Sequence, residues 1–257
     1  MAPATSFECA VITGGAGGIG RALAEHFISK GKKVIIVGRT ESKLQETAKA
    51  IGATAYYVLD TGKTADIKGF TERLVKDHPG VDCLINNAGV QRPLEILKDE
   101  DFLEKADQEI DINVRGPMHL TLSLLPHLRS KSAATIINVS SVLGFVPFSI
   151  INPVYNGTKA WLHFWTMNLR TQLRQAGEDH IKVVEIAPPT VATDLHRERE
   201  DPDDNKKENN PNAMSLEEFM EYVEGKLEDG EDMIAPGMAE DIVGRWYKEF
   251  GDKAEGN

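Results

Sequence analysis

Residues 9–27, CAVITGGAGGIGRALAEHF, set five glycines between an apolar run and an apparent helix. Each glycine costs backbone entropy on folding, so the cluster needs a physical reason. After a strand and at the opening of a helix, Gly14, Gly18 and Gly20 permit a tight turn, close approach of the backbone to a pyrophosphate, and close packing of helix on sheet. A flexible turn is the competing reading of such a stretch taken alone.

The surroundings favour the nucleotide reading. FECAVIT is followed by a helical pattern through Lys30, then by KKVIIVG, a polar helix ESKLQETAKAIG and the strand AYYVLD. Strands alternating with helices, each strand almost wholly apolar, indicate right-handed βαβ units on a parallel sheet covered on both faces. A helix near Thr64–Lys76, the strand VDCLINNAG, a long helix ending near Arg129, the strand ATIINVSS, a long helix after Tyr155 and the strand IKVVEIAPP continue the series. That makes six strands in one α/β domain over residues 1–257. From Arg197 to Pro211 the chain reads REREDPDDNKKENNP, which abandons the apolar period and is expected to be a mobile loop.

Composition limits the function classes. The chain has 257 residues, is 41% hydrophobic and carries a formal charge of −11, with a pI near 5.2. No extended basic stretch offsets the acidity, so nucleic acid is not an expected partner. Cys9 and Cys83 lie in apolar strands outside any C-x-x-C pair, which suggests reduced thiols. The N-terminus lacks the pattern of a secretion signal, and no apolar run is long enough to cross a membrane; the expectation is a soluble, cytoplasmic protein. The histidines His119, His127 and His163 have no ligand spacing, so no metal is expected. Ser141 lacks a Gly-x-Ser-x-Gly elbow, which leaves an esterase unsupported.

Asn152-Pro153 reads as a helix N-cap with proline at the first helical position. Tyr155 then falls in the first turn and Lys159 one turn later on the same face. A lysine ammonium and a helix N-terminus both favour a phenolate, which would bring the Tyr155 proton into use near neutral pH.

Five short motifs carry a family resemblance. TGGAGGIG, NNAG at Asn86–Gly89, Asn113 in DINVRGP, NVSS ending at Ser141, and YNGTK from Tyr155 to Lys159 together resemble the short-chain dehydrogenase/reductase family, in its order and close to its spacing. NPVYNGTKAWLHFWTMNLR and EIAPPTVATDL are similar to the branch named for an oxidoreductase of teichoic-acid D-alanylation operons. The resemblance implies a Rossmann-type doubly wound sheet of about seven strands, hydride transfer between a nicotinamide cofactor and a carbonyl or secondary alcohol, and a homodimer or homotetramer. It makes Tyr155 the proton donor or acceptor, Lys159 its partner and a holder of the nicotinamide ribose, and Ser141 the residue that stabilises charge on the substrate oxygen. Ser140 is adjacent, and only one of two successive strand residues can face Tyr155. Asn113 would mark a local helix distortion linked to Lys159.

By the same resemblance the cofactor meets Thr13, Gly14, Gly18, Ile19 and Gly20 at the glycine loop, and Asn87, Ala88 and Gly89 beside it. Asp60 lies near the adenine, while Val191 and Thr193 receive the carboxamide. The family's Pro-Gly after the sixth strand is here Pro188-Pro189, which stiffens the turn. The segment from about 195 to 214 corresponds to a substrate lid, and Gln91, Leu143, Phe145 and Pro147 are expected in a mainly apolar substrate wall. An NAD site places a carboxylate about 20 residues past the glycine loop. Here Gly38 holds that position and Arg39 follows, so NADP(H) is the expected cofactor, with NAD(H) the alternative. A catalytically idle nucleotide-binding regulator is the second functional reading.

Overall fold

The computed structural model describes residues 5–254, excluding the side chains of 252–254. Along the chain run β1 (Cys9–Thr13), α1 (Gly18–Ser29), β2 (Lys33–Gly38), α2 (Glu41–Ile51), β3 (Ala55–Val58), α3 (Thr64–Asp77) and β4 (Cys83–Asn86). They are followed by α4 (Phe102–Ile110), α5 (Gly116–Arg129), β5 (Ala134–Val139), α6 (Pro153–Gln175), β6 (Ile181–Ile186), α7 (Leu216–Glu228), β7 (Met233–Ile234) and α8 (Met238–Ala254). The seven strands form one parallel sheet in the order β3-β2-β1-β4-β5-β6-β7. The seventh strand has only two residues, too short for an apolar period to announce it in the sequence.

Period-two alternation divides the strand side chains between two cores. Ala10, Ile12, Val34, Ile36, Ile85 and Ile137 pack with Leu23 and Phe27 of α1 and with Phe219 and Val223 of α7. Val11, Ile35, Val37, Leu84 and Ile136 face the other way, onto Phe70 and Leu74 of α3, Leu120 and Leu124 of α5, and Leu169 and Leu173 of α6. Covering both faces explains why the strands read as continuous apolar runs. Chain direction across the sheet reverses between β1 and β4, and their C-terminal ends open a crevice at this switch point.

The long helix expected to end at Arg129 is not uniform. Between α4 and α5 the residues Asp111–Arg115 form a π-helical turn, with Asn113 at its centre. A π-turn inserts one residue per turn into the ladder and bulges the helix. Pro117 follows directly in the first turn of α5 and, lacking an N–H, donates nothing back to the π-turn.

Candidate active site

The floor of the crevice is built from backbone. Thr13 ends β1, and its hydroxyl accepts the amides of Asn87 (3.0 Å) and Ala88 (3.0 Å) while donating to the Ile85 carbonyl (3.2 Å). The Asn87 side chain returns a hydrogen bond to the Thr13 carbonyl at 3.0 Å. Gly14 takes a positive φ of 67°, and a Cβ there would lie 2.8 Å from the Asn87 amide nitrogen. Gly20 packs under Gly14 and Asn87 with no room for a side chain. Sequence therefore reads as structure here: glycines stand where Asn87, just past β4, crosses the end of β1.

One cavity of about 680 Å³ runs from this floor along the ends of the strands. Gly14, Gly18 and Ile19 line it. Arg39 and Asp60 border one end, and Ser141, Tyr155 and Lys159 the other. Asn87, Ala88, Gly89, Val191 and Thr193 complete the wall between them. Thr13, Gly20 and Asn113 stand behind the wall and support it. A nicotinamide dinucleotide fits this space: the glycine turn presents bare backbone at the N-terminus of α1, where a pyrophosphate is favoured by amides and helix dipole.

At the first end, Arg39, Thr40 and Lys43 line the cavity around the start of α2. No ion pair joins Arg39 to Glu41 among the described residues, and the Asp60 carboxylate accepts the Gly62 amide at 3.1 Å. Lys43 was not picked out from sequence, yet its Nζ lies 3.3 Å from where a Gly17 Cβ would be. Its signal was its place in the first turn of α2, which with Arg39 just before the helix sets two cations by one helix N-terminus.

At the second end, α6 carries Tyr155 and Lys159 into a buried corner. Ser141 stands beside the Tyr155 phenol and favours its ionised form, while its hydroxyl donates to the Pro188 carbonyl at 3.5 Å and accepts the Leu143 amide at 3.2 Å. Ser140 faces away, donating to Glu185 Oε1 at 2.5 Å, and that carboxylate also meets His163 Nδ1 at 2.9 Å. The pleat thus turns Ser141, rather than Ser140, toward Tyr155. Lys159 Nζ donates to the Val139 carbonyl at 2.8 Å and lies 5.5 Å from the Tyr155 ring centre. Asn113 fixes the corner from behind: its amide oxygen accepts from Val90 N (2.9 Å), and its nitrogen donates to Val90 O (2.8 Å) and Thr158 Oγ1 (3.2 Å).

Electrostatics in this corner differ from the simple helix expectation. Burial raises the Tyr155 pKa above its ordinary value and a nearby glutamate, Glu109, adds to the rise; Ser141 and Arg199 oppose it. Desolvation outweighs the helix N-terminus, so the phenol form is favoured. Burial also pulls Lys159 down to about 8, against the raising influence of Glu109 and Glu185.

Asn152 occupies the N-cap position of α6, but its side chain caps nothing. Instead its nitrogen donates to the Arg92 carbonyl at 2.9 Å and its oxygen accepts from Ser149 (2.6 Å) and Arg199 (2.9 Å). Proline at N1 leaves one orphan amide fewer at this helix end. Through these bonds the segment from about 195 to 214 is tied to the site. Arg199 also donates to Gln91 (2.9 Å) and Asp204 (2.6 Å), Arg92 pairs with Glu198 (2.8 Å), and Asn205 donates to the carbonyls of Val191 and Thr193 (both 3.0 Å). The polar composition of residues 197–211 is used here for polar contacts. Gln91 and Leu143 line the cavity as expected, whereas Phe145 turns to His163 and Trp246, with ring centres 4.1 and 5.7 Å away, and Pro147 lies outside the lining. Phe148, His196 and Arg199 line the cavity too, making the substrate end more polar than the sequence implied.

Cys9 and Cys83 are buried free thiols. Among the described residues no group of side chains could hold a metal ion, and no helix is long and apolar enough to cross a membrane.

Comparison with known proteins agrees with this geometry. The family model described as short chain dehydrogenase matches residues 8–204. The uncharacterized oxidoreductase DltE of Bacillus subtilis is 33% identical over 232 residues, covering 90% of this chain and 89% of that protein. The NADP-dependent 3-hydroxy acid dehydrogenase YdfG of Escherichia coli K12 is 32% identical over 218 residues, 83% of this chain and 86% of that one. A short-chain dehydrogenase from Sphingobium yanoikuyae, solved with NADPH, superposes with a TM-score of 0.81 over 96% of this chain and 93% of its own, at 24% identity, a likeness of fold. The chain belongs to the short-chain dehydrogenase family, NAD(P)-dependent oxidoreductases acting on CH–OH and C=O groups.

Proposed function

We propose that this protein is an NADP(H)-dependent oxidoreductase in which Tyr155 exchanges the proton that accompanies hydride transfer at a carbonyl or secondary alcohol. The observation that carries the reading is the convergence of Tyr155, Ser141 and Lys159 at one end of a cavity whose other end is bordered by Arg39, Thr40 and Lys43. When bound, the nicotinamide supplies or accepts the hydride. Ser141 orients the substrate oxygen beside the phenol, and its hydroxyl disperses the charge that develops there. Tyr155, held as a phenol by burial, donates its proton to that oxygen during reduction. Lys159, buried behind the ring, supplies positive charge when the phenolate remains, and Asn113 keeps α6 in register with the Val90 backbone.

The preference for NADP(H) rests on Gly38 in place of a carboxylate and on the cationic rim of Arg39 and Lys43. A 2′-phosphate there would gain charge-assisted hydrogen bonds from the guanidinium and the start of α2. The lid, residues 195–214, closes the substrate end through Arg199. A panel of ketones, aldehydes and alcohols, beginning with 3-hydroxy acids because the Escherichia coli relative is named for them, tests the proposal by absorbance of the reduced nicotinamide. Turnover with NADPH supports it; tight cofactor binding without turnover on the whole panel points to the regulatory alternative.

A further inference from the structure

Glu109 ends its chain segment in an unusual place for a carboxylate. It lies in the last turn of α4, four residues before Asn113, and is 0% exposed. No side chain among the described residues hydrogen-bonds either of its oxygens. Arg92 faces it through its backbone amide and its charge, yet directs its own Nε to Glu198 (2.8 Å) and another guanidinium nitrogen to the Lys105 carbonyl (3.3 Å). From α6, which packs on α4, the groups that feel Glu109 are Tyr155 and Lys159. Glu198 in the lid adds a like charge. The Asp111–Arg115 pair on the π-turn is turned to solvent. A charged carboxylate so enclosed, without its own ion pair, is costly, and taking up a proton removes the cost.

We propose that Glu109 is a positioning residue for the Tyr155–Lys159 pair: a buried carboxylic acid whose single proton sets the charge that the phenol and the ammonium experience. This rests on the reading of Tyr155 as the proton-exchanging group. In its neutral form Glu109 leaves the pair unperturbed. Once ionised, it stabilises the Lys159 ammonium and opposes the Tyr155 phenolate, which favours the proton-donating state that carbonyl reduction needs over the proton-accepting state of alcohol oxidation. Burial pushes the Glu109 carboxyl up to about 8, so the change falls within the range in which the enzyme can be handled.

The test needs no substrate. With glutamate carboxyls labelled by ¹³C in the full-length protein, carboxyl resonances are followed by NMR from acid to alkaline pH. One glutamate is expected to titrate near pH 8, well above the ordinary carboxylate range, and to vanish in Glu109→Gln. Should that variant not fold, Glu185→Gln, which removes another fully buried glutamate, assigns the signal by exclusion. Lys159→Met or Lys159→Gln removes a charge that favours ionisation, so the Glu109 midpoint should move upward. Titration of every glutamate in the ordinary range, or a midpoint unmoved by both Lys159 variants, overturns the proposal. Because turnover is not measured, this failure is distinct from retained turnover in Tyr155→Phe, which would overturn the proton-exchange reading.

Discussion

The two ends of the cavity are built by different means. Around the glycine loop the shape is made by backbone: Thr13 bonds the Asn87 and Ala88 amides, and bare glycines fill the gaps. Around Tyr155 the shape is made by side chains from distant stretches, with Arg199 reaching Gln91 and Asn152, and Glu109 meeting α6 from another helix. The first end suits a ligand part shared across a family; the second can be altered residue by residue without disturbing the sheet. Cofactor class should therefore be robust and substrate choice labile.

The largest test of this contrast falls on the side-chain end. Tyr155→Phe removes a proton donor but no backbone, so turnover should fall by about 10²–10⁴-fold while NADPH affinity, measured by fluorescence titration, stays within a few-fold. Comparable losses in both would make the tyrosine structural. Next comes a change at the backbone end that should alter preference alone. In Gly38→Asp combined with Arg39→Ser, an aspartate Cβ meets Leu44 at an ordinary 3.4 Å, so the sheet is undisturbed. Loss of charge-assisted bonds and gain of repulsion should shift the NADPH/NADH affinity ratio toward NADH by roughly 10–100-fold. A ratio already favouring NADH in the unaltered protein would refute the assignment to Arg39.

A smaller effect is expected from the proposed lid. Arg199→Met breaks its bonds to Gln91, Asn152 and Asp204, so amide exchange across residues 196–210 should quicken in the free protein. In the unaltered chain the same amides should slow when NADPH binds; strong protection before binding would contradict a moving lid. The last effect is on stability. The folded pKa of Lys159 is lowered from 10.5 to about 8, so burial of its charge destabilises the fold below pH 8 and that cost fades between 8 and 10.5, where only the unfolded chain keeps the proton. Lys159→Met should be more stable than the parent near neutral pH, with the gap in melting temperature narrowing across that window. A pH-independent gap would show that the ammonium is not desolvated.

The same division explains what was legible. Strands β1 to β6 and the glycine turn depend on neighbours in sequence, and their apolar runs and glycines announced them. β7 has two residues and no period, and it is recovered only through its pairing with β6. Tyr155 and Lys159 were visible because one helical turn links them. Glu109, Arg92 and Arg199 were invisible, since a charged residue in a polar helix or loop reads as solvated until the fold buries it. Asn152 shows the subtler failure: its position was right, but its side chain answers to Arg92, Ser149 and Arg199 rather than to its own helix.

The Thr13 hydroxyl has one further consequence. By holding the ends of β1 and β4 through three hydrogen bonds within the protein, it makes the nucleotide platform a preorganised surface. A dinucleotide arriving there need not order the Asn87–Gly89 backbone, so little of its contact energy is lost to conformational entropy. Thr13→Val would keep the shape and strand the two amides, coupling a loss of stability to a loss of affinity that neither cavity wall alone would suffer.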